Sequence, residues 1–323
     1  MANLGTRSWT TDAGGLFRSC FTIPLDENEM QAASKLHKLM RMVRKCLLIP
    51  SLLYFAAVVI TPQARGEIRM LAITSAAGFM PGLPQPGSLA TAFCTGLTGI
   101  SGVIPANSNP LPHSIQGVGV VVGGIDAPLL AVADFGGYQQ INFQVPWEAT
   151  GGGPVSIAQG PDASERTFGV TPTGWAIFFT NAAKYAVAQH ASDYRLVTPT
   201  DPARLGEWIV AYATNLGRVQ NPPASGAMAL ADPLSPVLFG GAVPLLLLLS
   251  PLQSVYAETG YIGLTPGSVG VYQINFRLPE NVPAGNVELQ METVRDCGFF
   301  FQQGCGRGLV RTDSLGAMLP VAR

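Results

Sequence analysis

The 323-residue chain has a formal charge of −1, 12% charged and 47% hydrophobic residues, and 37 Gly with 26 Pro. This composition excludes a disordered chain and points to short strands and tight turns in about two domains. Residues 1–66 carry eight Lys/Arg against four Asp/Glu and the remainder eleven against sixteen, with Lys184 its only lysine, so no basic stripe exists to bind nucleic acid.

The amino-terminal segment has the layout of an export signal. Lys35, Lys38, Arg41, Arg44 and Lys45 precede an uncharged stretch, residues 46–64, whose dense apolar part runs from Cys46 to Ile60. A basic region followed by an apolar one is the pattern of a secretory signal, and the small residues Ala64 and Gly66 suit cleavage after Gly66, with a cut after Ala64 as the weaker alternative. The rival readings are an uncleaved anchor, at the short edge of what spans a bilayer, and a buried core helix; Pro50 and the small-residue end favour cleavage. A membrane contact is expected only through this segment if it stays uncleaved. Residues 1–39 are polar and too long for a usual n-region, which makes Met40 or Met42 the expected true start. Under that hypothesis, mass spectrometry of the native cells recovers no peptide from residues 1–39. The expected location is secreted or cell envelope.

Beyond residue 67 the chain consists of short β-type runs broken by turn residues: Leu89 to Phe93, Gly117 to Val122, Ala127 to Val132, Gln140 to Val145, Val155 to Ala158, Ala176 to Phe179, Trp208 to Ala213, Pro244 to Leu249, Val271 to Leu278, Val287 to Met291 and Ala317 to Val321. This spacing predicts an all-β protein of two tandem immunoglobulin-like β-sandwich domains after the signal segment. The expected divisions are an extension and signal at 1–66, a first sandwich at 67–175, a connecting hairpin at 176–199 and a second sandwich at 200–323. Cys297 and Cys305 bracket a loop short enough for a hairpin tip, and an oxidising compartment would join them as a disulfide. Cys94, in an apolar strand, is expected to be buried and inert.

The chain also repeats itself. Pro86-Gly-Ser-Leu-Ala-Thr-Ala-Phe-Cys-Thr-Gly-Leu97 parallels Leu205-Gly-Glu-Trp-Ile-Val-Ala-Tyr-Ala-Thr-Asn-Leu216, and Gly123-Gly-Ile-Asp-Ala-Pro-Leu-Leu130 parallels Gly240-Gly-Ala-Val-Pro-Leu-Leu246. Gln140-Ile-Asn-Phe-Gln-Val-Pro146 matches Gln273-Ile-Asn-Phe-Arg-Leu-Pro279. The offset grows from 119 to 133 residues, which predicts an insertion in the second copy between Leu249 and Ser268. In the last block Ile141, Phe143 and Val145 are expected on the core face and Gln140, Asn142 and Gln144 on the other, with Pro146 ending the strand.

These blocks, with Asp201-Pro-Ala-Arg-Leu-Gly206, Leu264-Thr-Pro-Gly-Ser-Val-Gly-Val-Tyr-Gln-Ile-Asn275 and Val282-Pro-Ala-Gly285, resemble the uncharacterised C-terminal domain family of secreted acidobacterial proteins, the Solibacter type. The resemblance covers roughly residues 70–323. It implies an exported protein with immunoglobulin-like domains and no assigned biochemical role.

No catalytic, cofactor or metal site is expected. The chain lacks Gly-x-Ser-x-Gly and His-x-x-x-His patterns. His113 and His190 are expected at the surface. Asp126, Asp134, Glu148, Glu207, Glu258 and Glu280 mostly adjoin Gly or Pro, where turns hold acids in water; Glu148 and Glu280 fall at matching places in the two copies. The enzyme alternative is a secreted hydrolase using a carboxylate pair, and a third alternative is a membrane-anchored surface subunit. The preferred expectation is a non-catalytic module binding an extracellular protein or polysaccharide, through loops or through an edge strand added to a partner's sheet. Trp208 is expected in the core, and Trp147, Phe299, Phe300 and Phe301 are the candidate ligand-contacting aromatics.

Overall fold

A computed structural model of the chain describes residues 67–149, 153–168, 176–177, 184–239, 243–249, 253–295, 310–313 and 316–322. The amino-terminal segment, Cys297, Cys305 and Phe299 to Phe301 lie outside the described residues. Every regular element among them is a β-strand, and every ladder between named strands is antiparallel. The protein is all-β.

The first half comprises β1 (Arg69–Ser75), β2 (Leu89–Thr95), β3 (Gly102–Pro105), β4 (Val118–Val122), β5 (Ile125–Asp126), β6 (Leu129–Asp134), β7 (Gln139–Gln144), β8 (Gly153–Gln159) and β9 (Asp162–Phe168). They form a five-stranded sheet ordered β1-β2-β7-β6-β3 and a four-stranded sheet ordered β5-β4-β8-β9. Alternation decides which residues enter the core: along β4, Val118, Val120 and Val122 are buried while Gly119 and Val121 are less so. With Ile73, Ala92, Val132, Ile141, Phe143, Val155 and Ile157 they make one core between the two sheets. Burying a side chain such as Phe143 contributes about 1.5–3 kcal/mol.

The second half comprises β10 (Ala176–Ile177), β11 (Ala188–His190), β12 (Trp208–Thr214), β13 (Val243–Leu249), β14 (Ser254–Leu264), β15 (Tyr272–Arg277), β16 (Gly285–Arg295), β17 (Val310–Asp313) and β18 (Ala317–Val321). The nine strands among its described residues are connected because β14 changes partners along its length. Residues 254–257 pair with β13 and residues 258–264 with β15. One strand therefore belongs to two layers, and Leu246, Leu248, Ile209, Ile274, Phe276 and Leu289 fill the core between them. The segment 176–199, expected as a separate connecting hairpin, instead lays both β10 and β11 against β12.

The duplication is written into the pairing register. Leu89 lies opposite Gln144 and Ala90 opposite Phe143, as Trp208 lies opposite Arg277 and Ile209 opposite Phe276. A β-bulge interrupts β6 between Leu129 and Ala131 and β14 between Thr259 and Tyr261 at the same height against the partner strand. Gly87 N–H donates to Val145 O and Gly206 N–H to Leu278 O, both at 2.8 Å. The Gln-Ile-Asn-Phe blocks repeat a side-chain bond too: Gln140 Nε2 donates to Asn142 Oδ1 and Gln273 Nε2 to Asn275 Oδ1.

This register corrects two alignments made from sequence. Leu130 matches Gly260 in β14 and not Leu246 in β13, so much of the insertion precedes β14, in the connection from β12 to β13. Trp147, not Glu148, is the counterpart of Glu280: both follow the strand-ending proline, and both close on the equivalent glycine, Gly87 or Gly206.

Candidate functional site

Among the described residues, a dense group of titratable side chains surrounds His190. It was expected at the surface, but β11 carries it fully buried between the sheet and the 198–207 loop. Its Nδ1 lies 3.0 and 3.1 Å from the two carboxylate oxygens of Glu207, and its Nε2 lies 3.4 Å from the Asp201 carbonyl. Asp201 in turn holds Arg195 at 2.8 Å and Arg204 at 3.4 Å, while Arg195 also bonds Asp193 and holds that carboxyl below its usual range. Both ring nitrogens face oxygen acceptors of the loop rather than a hydroxyl or thiol that the ring could activate. The arrangement fastens the loop to β11 and β12. His113 is exposed, as expected, with Nδ1 against the Asp126 carbonyl.

The other acids are dispersed. Asp134 accepts from Gly136 N and Gln139 Nε2 at a turn. Glu258 stands beside Arg277 in the ladder, and Glu148 accepts from Ser225 Oγ at 2.7 Å. A cleft of about 580 Å³ opens beside the β4–β5 turn, lined by Leu83, Pro86, Gly124, Val145, Glu148 and Pro154 among others, and Glu148 is the single acid among its described lining residues. Two-carboxylate hydrolysis requires a second acid across such a cleft. Among the described residues no group of three or more His, Cys, Asp or Glu is placed to hold a metal ion. Cys94 is buried, as expected, and desolvation followed by the nearby Asp134 charge pushes its thiol pKa up to about 12, which suppresses the reactive thiolate.

The most elaborate polar construction ties the two halves together. Leu89 N–H donates to Thr214 Oγ1 at 3.0 Å and Gln85 N–H to Asn215 Oδ1 at 2.8 Å. Gln144, fully buried, accepts from Gly226 N–H and donates to Gly87 O. Ala76, Ala77 and Leu89 of the first half pack with Val187 and Val271 of the second, with Leu130 and Tyr212 alongside. Residues 215–239 supply a clasp across the first half. Leu111 N–H donates to Gly226 O at 2.9 Å, and a Cβ on Gly226 would stand only 3.0 Å from Pro128.

Trp147 belongs to this joint. It is half-buried against the second core, its main-chain N–H donates to Ser225 Oγ, and its ring covers Gly87. Trp208, expected in the core, is instead 40% exposed. Position 208 opens β12 on its outer face, and the indole lies over Gly260, where a Cβ would come within 3.0 Å of the ring. The sequence carried a signal for this in Trp-x-Val-x-Tyr, whose alternate residues share one sheet face. The joint itself was missed; the positive-φ Gly226 inside the inserted segment was the available sign.

No family model and no curated protein matches this chain. Among solved structures it is similar to a chain called BspA_C_mut (10% identity, 79% of this chain and 98% of that one, TM-score 0.17). It is also similar to the C-terminal domain of the AgI/II polypeptide BspA of Streptococcus agalactiae (9% identity, 78% and 99%, TM-score 0.16).

Proposed function

We propose that the protein is an exported, non-catalytic module of two immunoglobulin-like units that acts at the cell envelope or outside the cell by binding a protein or polysaccharide. The observation that carries this reading is the use made of the reactive side chains. His190, Glu207 and Asp201 are spent on fastening a loop, Cys94 is sealed in a core, and the described lining of the cleft offers a single acid. A hydrolase of the two-carboxylate kind finds no second acid there. The acidobacterial resemblance in the repeated blocks supports the same reading and supplies the export expectation.

The test is intact mass and N-terminal sequencing of the protein recovered without reductant from medium, envelope and cytoplasm of its native culture. A chain beginning near Glu67 outside the cytoplasm, two mass units light from a Cys297–Cys305 disulfide, is the expected result. A chain retaining residues 40–66 in the membrane makes it an anchored surface subunit. A reduced cytoplasmic chain overturns the proposal.

A further inference from the structure

We infer that the cleft beside the β4–β5 turn is a binding site for a primary ammonium carried on an apolar body, with Glu148 holding the charge. This rests on the binding reading above and names a ligand class for it. The cleft encloses about 580 Å³, within the roughly 300–1,000 Å³ usual for small-ligand sites. Leu83, Val122 and Val145, all buried, make its floor, and Pro86, Ile125 and Pro154 its rim. Gly123 N–H donates to Pro154 O at 2.9 Å and holds two sides of the rim together. A Cβ on Gly123 or Gly124 would meet nothing within 4 Å, so the mouth stands open over the turn.

The lining decides the chemistry of the occupant. Apart from Glu148, every described lining residue is glycine, alanine, proline or aliphatic. An anion would find no cationic side chain among them, and a sugar would find one polar side chain where its hydroxyls need several. An apolar body suits the walls and a positive head suits Glu148, which is exposed and enters no ion pair among the described residues. Apolar walls on one side reduce screening of that carboxylate and strengthen its pull on a cation.

The form of the positive head follows from what surrounds the carboxylate. No aromatic ring stands among the described lining residues, so a quaternary ammonium lacks the cage that recognises it. Glu148 Oε2 already accepts from Ser225 Oγ at 2.7 Å, which disfavours the fork of a guanidinium, since that fork uses both oxygens side by side. Oε1 has no partner among the described residues and is left for a single N–H donor. Ser225 also accepts the Trp147 main-chain N–H at 2.9 Å, so the clasp fixes the carboxylate at the cleft before any ligand arrives.

Amide NMR of the isotope-labelled full chain tests this, with hexylammonium, hexylguanidinium, hexanol and a blocked tripeptide carrying lysine between two valines as probes. Hexylammonium is expected to shift Gly123, Gly124 and Gly153 with a Kd on the order of 1 mM, and hexanol and hexylguanidinium to bind roughly tenfold more weakly. Glu148→Gln, whose amide oxygen still accepts from Ser225, weakens hexylammonium by roughly tenfold and leaves hexanol unchanged. Ser225→Ala frees Oε2 and brings hexylguanidinium up toward hexylammonium. A tripeptide that binds more tightly than hexylammonium assigns the head to a partner protein's lysine; the reverse order assigns it to a free amine. Shifts that spare the three glycines, hexanol binding as tightly as hexylammonium, or a Glu148→Gln chain that binds like wild type overturns the inference. None of these readouts depends on where the chain is found, so a reduced cytoplasmic chain would overturn the export proposal and leave the cleft standing.

Discussion

Gly87 and Gly206 perform the same task in the two halves. Both hold a positive φ, +82° and +77°, and both are overlaid by the residue that follows the strand-ending proline. A Cβ on Gly87 would fall 2.1 Å from the Trp147 ring, so Gly87→Ala combines backbone strain with displacement of an indole from the joint. We expect a loss of about 2–4 kcal/mol in chemical denaturation; a loss below about 0.5 kcal/mol would contradict the packing described. His190→Ala leaves the Glu207 carboxylate without its buried partner and opens a cavity. An expected cost of about 2–4 kcal/mol would be checked by thermal and urea melts. Cys94 makes a prediction in pH. Its thiol, raised from 9.0 to about 12, holds its proton in the folded chain after the unfolded chain has released it. Stability conferred by the protonated thiol is complete below pH 9 and declines as pH rises toward 12, at up to about 1.4 kcal/mol per pH unit. Burial raises Tyr272 in the same direction. Cys94→Ala should flatten that decline, measured by urea melts between pH 9 and 11, and an unchanged slope would refute the assignment.

At the scale of strands, the sequence was legible wherever alternation and turn chemistry set the structure. Ile141, Phe143 and Val145 face the core as expected, and the repeated Gln-Ile-Asn-Phe blocks pair in one register. It misled where a short string recurs for generic reasons. Gly-Gly followed by Pro-Leu-Leu marks any passage from a turn into an apolar strand, so Gly123 to Leu130 matched Gly240 to Leu246 without sharing a place in the ladder. Trp208 opens an apolar strand and His190 ends the short strand Ala188–His190; both were misplaced because the pattern of one strand does not tell which face a distant loop will cover. The clasp gives the test at this scale. Gly226→Val, with φ +82° and Pro128 within 3.0 Å, should lift the clasp and leave both cores intact. Calorimetry should then resolve two transitions where wild type gives one; a single transition for the variant would show that the clasp does not couple the halves.

For the whole molecule, the joint makes two similar units unequal. The first half keeps the leucine face, and Gln144, buried by the clasp, receives an N–H from the other half. The second half keeps an open indole and guanidinium at the corresponding place. A first half expressed alone would expose Leu89 and Leu130 and leave Gln144 Oε1 without the Gly226 N–H, so it should bind a hydrophobic dye and melt well below the intact chain; equal melting temperatures would count against a joint of any strength.

The clasp also has a consequence for inheritance. A duplicated gene segment begins as two interchangeable pieces, free to be shuffled, lost or multiplied. Once the second piece carries the strap that grips Leu111 and Pro128 of the first, neither can be exchanged alone without stranding polar and apolar surface made for the other. The two pieces are thereby fitted to one another in a fixed order.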